Sequence, residues 1–343
     1  MKKVMIGMSG GVDSAVSAYL LKQSGYDVTG VTLRLCGENE SDAADAKAVA
    51  ERLGIEHIVG DMSEEFRNKV IDDFVNSYKQ GATPNPCIVC NKFIKFGAML
   101  DYAVDCGADL IATGHYARIK RGADGRYLLK KALDESKDQS YVLYSLTQER
   151  LSRVLFPLGE MTKSEVRELA ESQGLINARK RDSQDICFVP DGDYAAFIGR
   201  YTGESFPKGS FVDKDGNVLG EHNGIIKYTI GQRKGLGISL GKPAFVCGKD
   251  IQSNTVTLGE NSDLFSKILT AHDVNLISAD SIDRPMRVCA KVRYNQKEQP
   301  ATVETIGENR IRVEFDEPQR AISKGQSVVL YDGDTVVGGG IID

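Results

Sequence analysis

The hexapeptide Ser9-Gly10-Gly11-Val12-Asp13-Ser14 constrains this chain more than any other stretch. It follows an apolar, strand-like run, Val4-Met5-Ile6-Gly7-Met8, and leads into a helical pattern from Ala15 to Ser24 that stops at Gly25, where a helix C-cap is expected. Strand, tight glycine turn and helix in that order aim backbone N–H groups and a helix N-terminus at one spot, and two adjacent glycines keep Cβ atoms out of it. An ordinary tight connection has no need of Gly-Gly, two serines and an aspartate together, so the stretch reads as a phosphate cradle. No Gly-Lys-Ser/Thr triplet of a Walker loop occurs anywhere in the chain. Asp13 stands instead, and an anion beside phosphates implies an intervening divalent cation, Mg²⁺.

With 343 residues, 41% of them hydrophobic, the chain can bury two or three domain cores. The N-terminus lacks a signal-peptide layout and no window offers ~20 uninterrupted apolar residues, so a cytoplasmic location with no membrane contact is expected. Seven cysteines, an odd number, suit thiols, metal ligands or catalysts better than a disulfide framework. The net charge of −5 excludes a protein coated in positive potential but leaves room for local basic surface. One such patch runs from Arg118 to Lys131: Arg118, Lys120, Arg121, Arg126, Lys130 and Lys131 face a single acid, Asp124. It reads as a hairpin turning at Asp124-Gly125, either an RNA-contacting arm or a solvated hairpin.

The first half of the chain alternates strands (Val28–Leu33, His57–Val59, Asp109–Ala112) with helices (Asp42–Leu53, Glu64–Tyr78, Phe93–Cys106), the pattern of an α/β fold with a doubly wound, mostly parallel sheet. Ligands of such sheets sit beyond the C-terminal strand ends, where the cradle, Leu33 and Gly114-His115 would converge. Residues 136–174 read as helical, with Thr162-Lys163-Ser164-Glu165 as a capping box. Glycines and prolines then become frequent, indicating a small central domain. Five alternating stretches from Met286 onward (287–294, 301–306, 310–315, 327–331, 336–342) suggest a C-terminal β-barrel. The expected domains are 1–195, 196–260 and 261–343. The string Gly235 to Gly241 misses the dinucleotide spacing and lacks a strand-to-helix setting, which excludes NAD or FAD binding.

Further chemistry lies in the cysteines. Pro84-Asn85-Pro86-Cys87-Ile88-Val89-Cys90-Asn91 places Cys-x-x-Cys on a proline-fixed loop entering a helix, whose dipole would lower a thiol pKa; half a zinc site is the other reading. Cys36, Cys106, Cys187, Cys247 and Cys289 are scattered singly. Cys187 ends a polar, basic run that begins with Arg179-Lys180-Arg181, whereas Cys106, Cys247 and Cys289 lie in apolar runs and read as core.

The cradle resembles the PP-loop of the ATP pyrophosphatases. Thr83 to Pro86 through Asn91-Lys92 with Ile94-Lys95-Phe96, Ala112 to Tyr116, Lys137 to Tyr141, Asp185 to Phe188, Gly231 to Gly237 and Gly338 to Ile342 extend the likeness. Together they resemble the tRNA-specific 2-thiouridylase family across essentially the whole chain. The resemblance implies ATP-dependent 2-thiolation of the wobble uridine of tRNA, through adenylylation of the C2 oxygen and sulfur transfer. By position it implies ATP contacts from Gly7, Met8, Ser9, Gly10, Gly11, Val12, Asp13, Ser14, Leu33 and Gly114. It also implies catalysis by Asp13, Cys90 and Cys187, and tRNA contacts from Asn85, Pro86, Cys87, His115, Lys137, Asp138, Gln139, Arg293, Tyr294 and Gln326. Cys87 stands where many members carry aspartate, and the segment Leu35 to Ser41 is shorter than in better-known members. Two sulfur routes therefore stay open: a persulfide on Cys187 fed by a cysteine desulfurase or sulfur-relay protein, with Cys90 resolving, or a [4Fe–4S] cluster on Cys87, Cys90 and Cys187. Another PP-loop enzyme, such as a 4-thiouridine-forming or amidating ligase, would keep the cradle without this cysteine set, and a non-catalytic RNA-binding protein would need only basic surface.

Overall fold

The computed structural model describes residues 1–36, 40–175 and 186–343. The first unit is built from β1 (Lys3–Gly7), α1 (Val12–Gln23), β2 (Asp27–Arg34), α2 (Glu40–Leu53), β3 (Glu56–Asp61), α3 (Ser63–Phe66) and α4 (Asp72–Lys79), with a π-helical turn, Arg67–Ile71, between the last two. α5 (Pro86–Cys90) then runs through a second π-helical stretch, Asn91–Ala98, into α6 (Met99–Asp105). Next come β4 (Leu110–Ala112), β5 (Ala117–Arg121), β6 (Tyr127–Lys131), α7 (Gln148–Leu151), β7 (Val154–Leu155) and α8 (Lys163–Ser172).

The all-parallel sheet has the order β3-β2-β1-β4-β7. The chain therefore winds from β1 outward through β2 to β3 on one side and then returns past β1 to β4 and β7 on the other, and the crevice between β1 and β4 is the switch point where a doubly wound sheet opens. Apolar side chains bury β1 completely on both faces, as Val4, Met5 and Ile6 are each at most 2% exposed. β7 lies within the segment expected to be helical; two residues of extended chain suffice to pair with β4.

α9 (Tyr194–Thr202) leads to a four-stranded sheet, order β10-β11-β8-β9, formed by β8 (Gly209–Val212), β9 (Val218–His222), β10 (Phe245–Asp250) and β11 (Thr255–Gly259). Six strands close the C-terminal barrel: β12 (Phe265–Leu276), β13 (Met286–Lys291), β14 (Gln299–Gly307), β15 (Arg310–Arg320), β16 (Ser327–Asp332) and β17 (Thr335–Ile342). β12 pairs with both β15 and β17 and so completes the ring. The sequence reading had five strands because it began at Met286 and left out β12, whose Asp273 adopts φ 50° amid a register shift between His272 and Asn275.

The β5–β6 hairpin turns at Asp124-Gly125 as read, but it is not an open basic arm. It extends the barrel sheet through Thr335 opposite Lys130, and five of its six cations are ion-paired: Arg118 and Lys130 with Asp334, Lys120 with Glu160, Arg126 with Asp280, Lys131 with Glu298; Arg121 donates to the Gly125 carbonyl and lies over the Tyr127 ring. The hairpin is a strut between units, most of its charge offset by Asp280, Glu298 and Asp334 of the barrel domain and by Glu160 of the first unit. Arg179, Lys180, Arg181 and Asp185 lie outside the described residues.

Candidate functional site

The cradle follows directly from chain geometry. Gly10 adopts φ 68°, and a Cβ there would lie 2.6 Å from the Asp42 carbonyl oxygen, so only glycine fits. Gly11 is the N-cap of α1 and its side-chain-free cap leaves the first N–H groups of a 12-residue helix without an internal acceptor. Ser14 braces the turn from inside, its Oγ accepting from the Ser9 N–H (3.3 Å) and donating to the Gly11 carbonyl (3.1 Å). Met8 N–H is held by the Val31 carbonyl, and Thr32 Oγ1 donates to the Met8 carbonyl, which fixes Gly7, Met8 and Ser9 against β2 and the half-buried Leu33. Gly114 presses against the loop so closely that a Cβ would meet the Ser14 nitrogen at 2.9 Å. Uncapped helical N–H groups above a bare glycine turn fit the phosphates of a nucleotide.

Asp13 does not stand free to anchor a metal. Lys163 Nζ lies 2.8 Å from both of its carboxylate oxygens, and Tyr116 OH donates to Oδ1 at 2.8 Å. Lys163 is buried, and it is the first residue of α8, behind the Thr162–Glu165 capping box. A cation at a helix N-terminus is electrostatically disfavoured; the carboxylate of Asp13 offsets that cost and holds the ammonium at the cradle. The oddity of lysine at that position was the sequence signal for this residue, which the capping-box reading passed over.

The thiols gather beside the cradle, around the α5–π–α6 rod. Pro86 occupies the first turn of α5 and the Asn85 side chain accepts from the Cys87 N–H (3.1 Å), so the helix starts earlier than read and contains both cysteines. Cys87 is exposed and Cys90 is 8% exposed. In the π-helical stretch after them, the wider turn brings Lys95, five residues past Cys90, onto the thiol side. The expected dipolar lowering of the Cys87 and Cys90 thiols is overruled: burial pushes both up, Cys90 to about 12, against a smaller opposing pull from Lys95.

Cys187 behaves oppositely. Its thiol is lowered to about 7, chiefly by a hydrogen bond donated from the Cys36 thiol, with Lys95 and the N–H groups of residues 187 and 188 adding to it against the cost of burial. The residues after it anchor it, because Phe188 is wedged edge-on between Phe66 (5.8 Å) and Phe74 (5.2 Å) and lies 5.2 Å from Phe197. Cys36, two residues beyond β2 and half-buried on the same apolar cluster, was not singled out from the sequence. Cys106, read as core, is exposed at the C-terminal end of α6; Cys247 and Cys289 are half-buried.

The proposed tRNA contacts are mostly engaged within the protein. His115 is buried, bonded to Thr113 Oγ1 (2.7 Å), tilted against Phe96 and edge-on to Phe156, and burial holds its pKa well below the usual value. Asp138 accepts from the Ala132 and Ser140 N–H groups, and Gln139 from the Tyr116 N–H. Arg293 donates to the carbonyls of Ile230 and Ala321, joining central and barrel units, while Gln326 donates to the Thr83 carbonyl (2.7 Å) and pins the Asn85-Pro86-Cys87 loop to the barrel. Tyr294 is exposed, its OH donating to the Asp138 carbonyl (3.2 Å), and lies within electrostatic reach of Cys87; Lys137 is half-buried nearby in sequence.

Among the described residues no group of three or more His, Cys, Asp or Glu side chains is disposed to hold a metal ion.

A phosphate cradle at the switch point of a parallel sheet, flanked by thiols of opposed acidity, defines a nucleotide-binding α/β protein of the HUP type equipped for sulfur chemistry. Family models agree: "tRNA methyl transferase HUP domain" matches residues 2–191, "tRNA methyl transferase PRC-barrel domain" 195–260 and "Aminomethyltransferase beta-barrel domain" 266–342. The tRNA-specific 2-thiouridylase MnmA of Clostridioides difficile (strain 630) is 53% identical over 354 residues, covering 100% of this chain and 98% of that protein. The enzyme of the same name from Lachnoclostridium phytofermentans is 50% identical over 357 residues, covering 100% and 99%. A solved U34-tRNA thiolase NcsA from Methanococcus maripaludis, with its [4Fe-4S] cluster, is 20% identical with a TM-score of 0.37, covering 58% of this chain and 67% of that one, too loose a likeness to bear on the metal question. The chain belongs to the tRNA-specific 2-thiouridylase family.

Proposed function

We propose that this protein is an ATP-dependent tRNA sulfurtransferase that 2-thiolates the wobble uridine. The reading is supported above all by full-length identity of about half to proteins named for that activity. A uridine carbonyl oxygen is a poor leaving group. Attack of the C2 oxygen on the α-phosphorus of ATP converts it to an adenylyl ester and releases pyrophosphate, the N3 proton being lost. The uncapped N–H groups of α1 and the Lys163 ammonium are placed to stabilise the charge on the phosphates. Mg²⁺, when bound with ATP, would supply further neutralisation of the departing pyrophosphate; Asp13, bridged to Lys163, serves first to position the Lys163 ammonium.

Sulfur reaches the activated C2 from Cys187. Its exposure and lowered pKa suit it to accept a persulfide from a sulfur donor protein, whereas Cys90 is sheltered and protonated. Attack of the persulfide's outer sulfur on C2 expels AMP and leaves the RNA linked to Cys187 through a disulfide. A second thiol must then break that link, a role that family resemblance gives to Cys90. In a reaction holding ATP, wobble-uridine tRNA and a persulfide donor, pyrophosphate release should be stimulated by tRNA and 2-thiouridine should appear in the nucleoside digest. Cys187→Ala should keep the first and lose the second; wild-type thiolation by that variant would overturn the assignment. Thiolation of another base, or pyrophosphate release indifferent to tRNA, would favour a different PP-loop ligase.

A further inference from the structure

The Asp13–Lys163 ion pair is held from the side by Tyr116, which touches both of its members. The Tyr116 hydroxyl donates to Asp13 Oδ1 at 2.8 Å, and the Lys163 ammonium lies 5.7 Å from the centre of the tyrosine ring, within reach of its negative face. Asp13 Oδ1 thus accepts from two donors and Oδ2 from one, since Lys163 Nζ is 2.8 Å from each oxygen. The terminal torsion of an aspartate is soft. A hydroxyl directed at one oxygen gives that torsion a fixed setting, and with it the place of the ammonium. Tyr116 is 2% exposed, so its hydroxyl reaches Asp13 from within the protein.

The tyrosine is itself fixed by one short segment, 134–139, just after β6. Tyr116 N–H donates to Gln139 Oε1 (2.9 Å) and Gln139 N–H donates to the Tyr116 carbonyl (2.9 Å), a closed pair of bonds. Earlier in the same segment Asp134 Oδ2 accepts the backbone N–H of Lys163 (3.0 Å). The segment braces itself, Asp134 Oδ1 accepting from the Ser136 N–H and hydroxyl and Asp138 Oδ1 from the Ala132 and Ser140 N–H groups. One braced segment therefore sets the backbones of Tyr116 and Lys163 against each other across Asp13.

We infer that Tyr116 is a positioning residue for adenylylation, acting through Asp13 and Lys163; the inference rests on the reading above that ATP reacts at the cradle. A charge stabilises a transition state most when it need not move as the reaction proceeds. Without the hydroxyl, Asp13 and Lys163 stay paired and ATP still binds on the N–H groups of α1, but the ammonium must be re-aimed as charge develops on the phosphates. The loss therefore falls on the rate at saturating ATP and not on ATP affinity.

Tyr116→Phe removes the hydroxyl and keeps the ring. The test follows pyrophosphate formation by the full chain in a single turnover with tRNA, as ATP is varied. The maximal rate should fall about tenfold to a hundredfold, with half-saturating ATP within about twofold of wild type. Tyr116→Phe combined with Lys163→Met should lose no more than Lys163→Met alone, because the hydroxyl acts through that ammonium. A wild-type maximal rate, a change confined to half-saturating ATP, losses that multiply in the double variant, or a loss equal to the unfolded fraction seen in a urea titration would each overturn the inference. Wild-type pyrophosphate formation indifferent to tRNA would overturn the functional reading instead, and the ratio of variant to wild type in the same assay would still decide the role of Tyr116.

Discussion

Lys163 carries the largest change of role at the scale of single residues. Its ammonium is held 2.8 Å from both oxygens of Asp13 in the cradle, and a preorganised charge at a phosphate site contributes on the order of 10²–10³ in rate. Lys163→Met should therefore cut tRNA-stimulated pyrophosphate release by about that factor, measured at saturating ATP; a loss confined to ATP affinity would reduce it to a binding residue. Motif and position single out Asp13, Cys90 and Cys187 as candidates, but the partner of Asp13 comes from 150 residues away, which no local pattern reports. His115 illustrates the converse. A histidine just past a strand looks functional, yet Phe96, Phe156 and Thr113 enclose it. Since burial holds it neutral in the fold while the unfolded chain protonates near 6.5, the unfolded state binds the extra proton, and stability falls as pH drops below that value. Urea unfolding of wild type should show this loss between about pH 7 and 5, and His115→Gln should flatten it.

At the scale of elements, the sequence disclosed what repeats with a period and missed what is short or paired across the molecule. β1, α1 and β2 announced themselves by apolar runs and punctuating glycines, whereas two-residue β7 exists only because β4 offers it an edge. The start of α5 was misplaced because Pro86 looked like loop, although proline is at home in a first helical turn. What places Cys187 is likewise tertiary, namely the ring of Phe188 against Phe66, Phe74 and Phe197. Truncating a buried aromatic leaves a cavity that costs roughly 3–5 kcal/mol. Phe188→Ala should lower unfolding free energy by about that much and, with its anchor gone, slow persulfide loading of Cys187. Phe188→Leu should recover most of both. Equal loading in the alanine variant would separate Cys187 placement from this packing.

For the whole molecule the question is how an acidic protein, at net charge −5, holds a polyanion. The β5–β6 hairpin looked like the answer, but five of its six cations face Asp334, Glu160, Asp280 and Glu298, so that tRNA would have to compete with these acids for them. Such pairs fix the relative placement of units; exposed ones contribute little stability, about 0–1 kcal/mol each. Arg233 and Lys234, on the glycine loop of the central unit, are exposed and have no ion-pair partner among the described residues. Each phosphate neutralised by such a cation releases counterions and adds about 0.9 to the magnitude of the slope of log affinity against log salt. The double variant Arg233→Ala with Lys234→Ala should reduce that slope by roughly 1–2 in a tRNA-binding titration between about 50 and 200 mM salt. Lys130→Met should leave the slope as it is and instead loosen the hairpin from Asp334, seen as faster proteolysis between the units. A lowered slope in Lys130→Met with an unchanged one in the double variant would return the RNA surface to the hairpin.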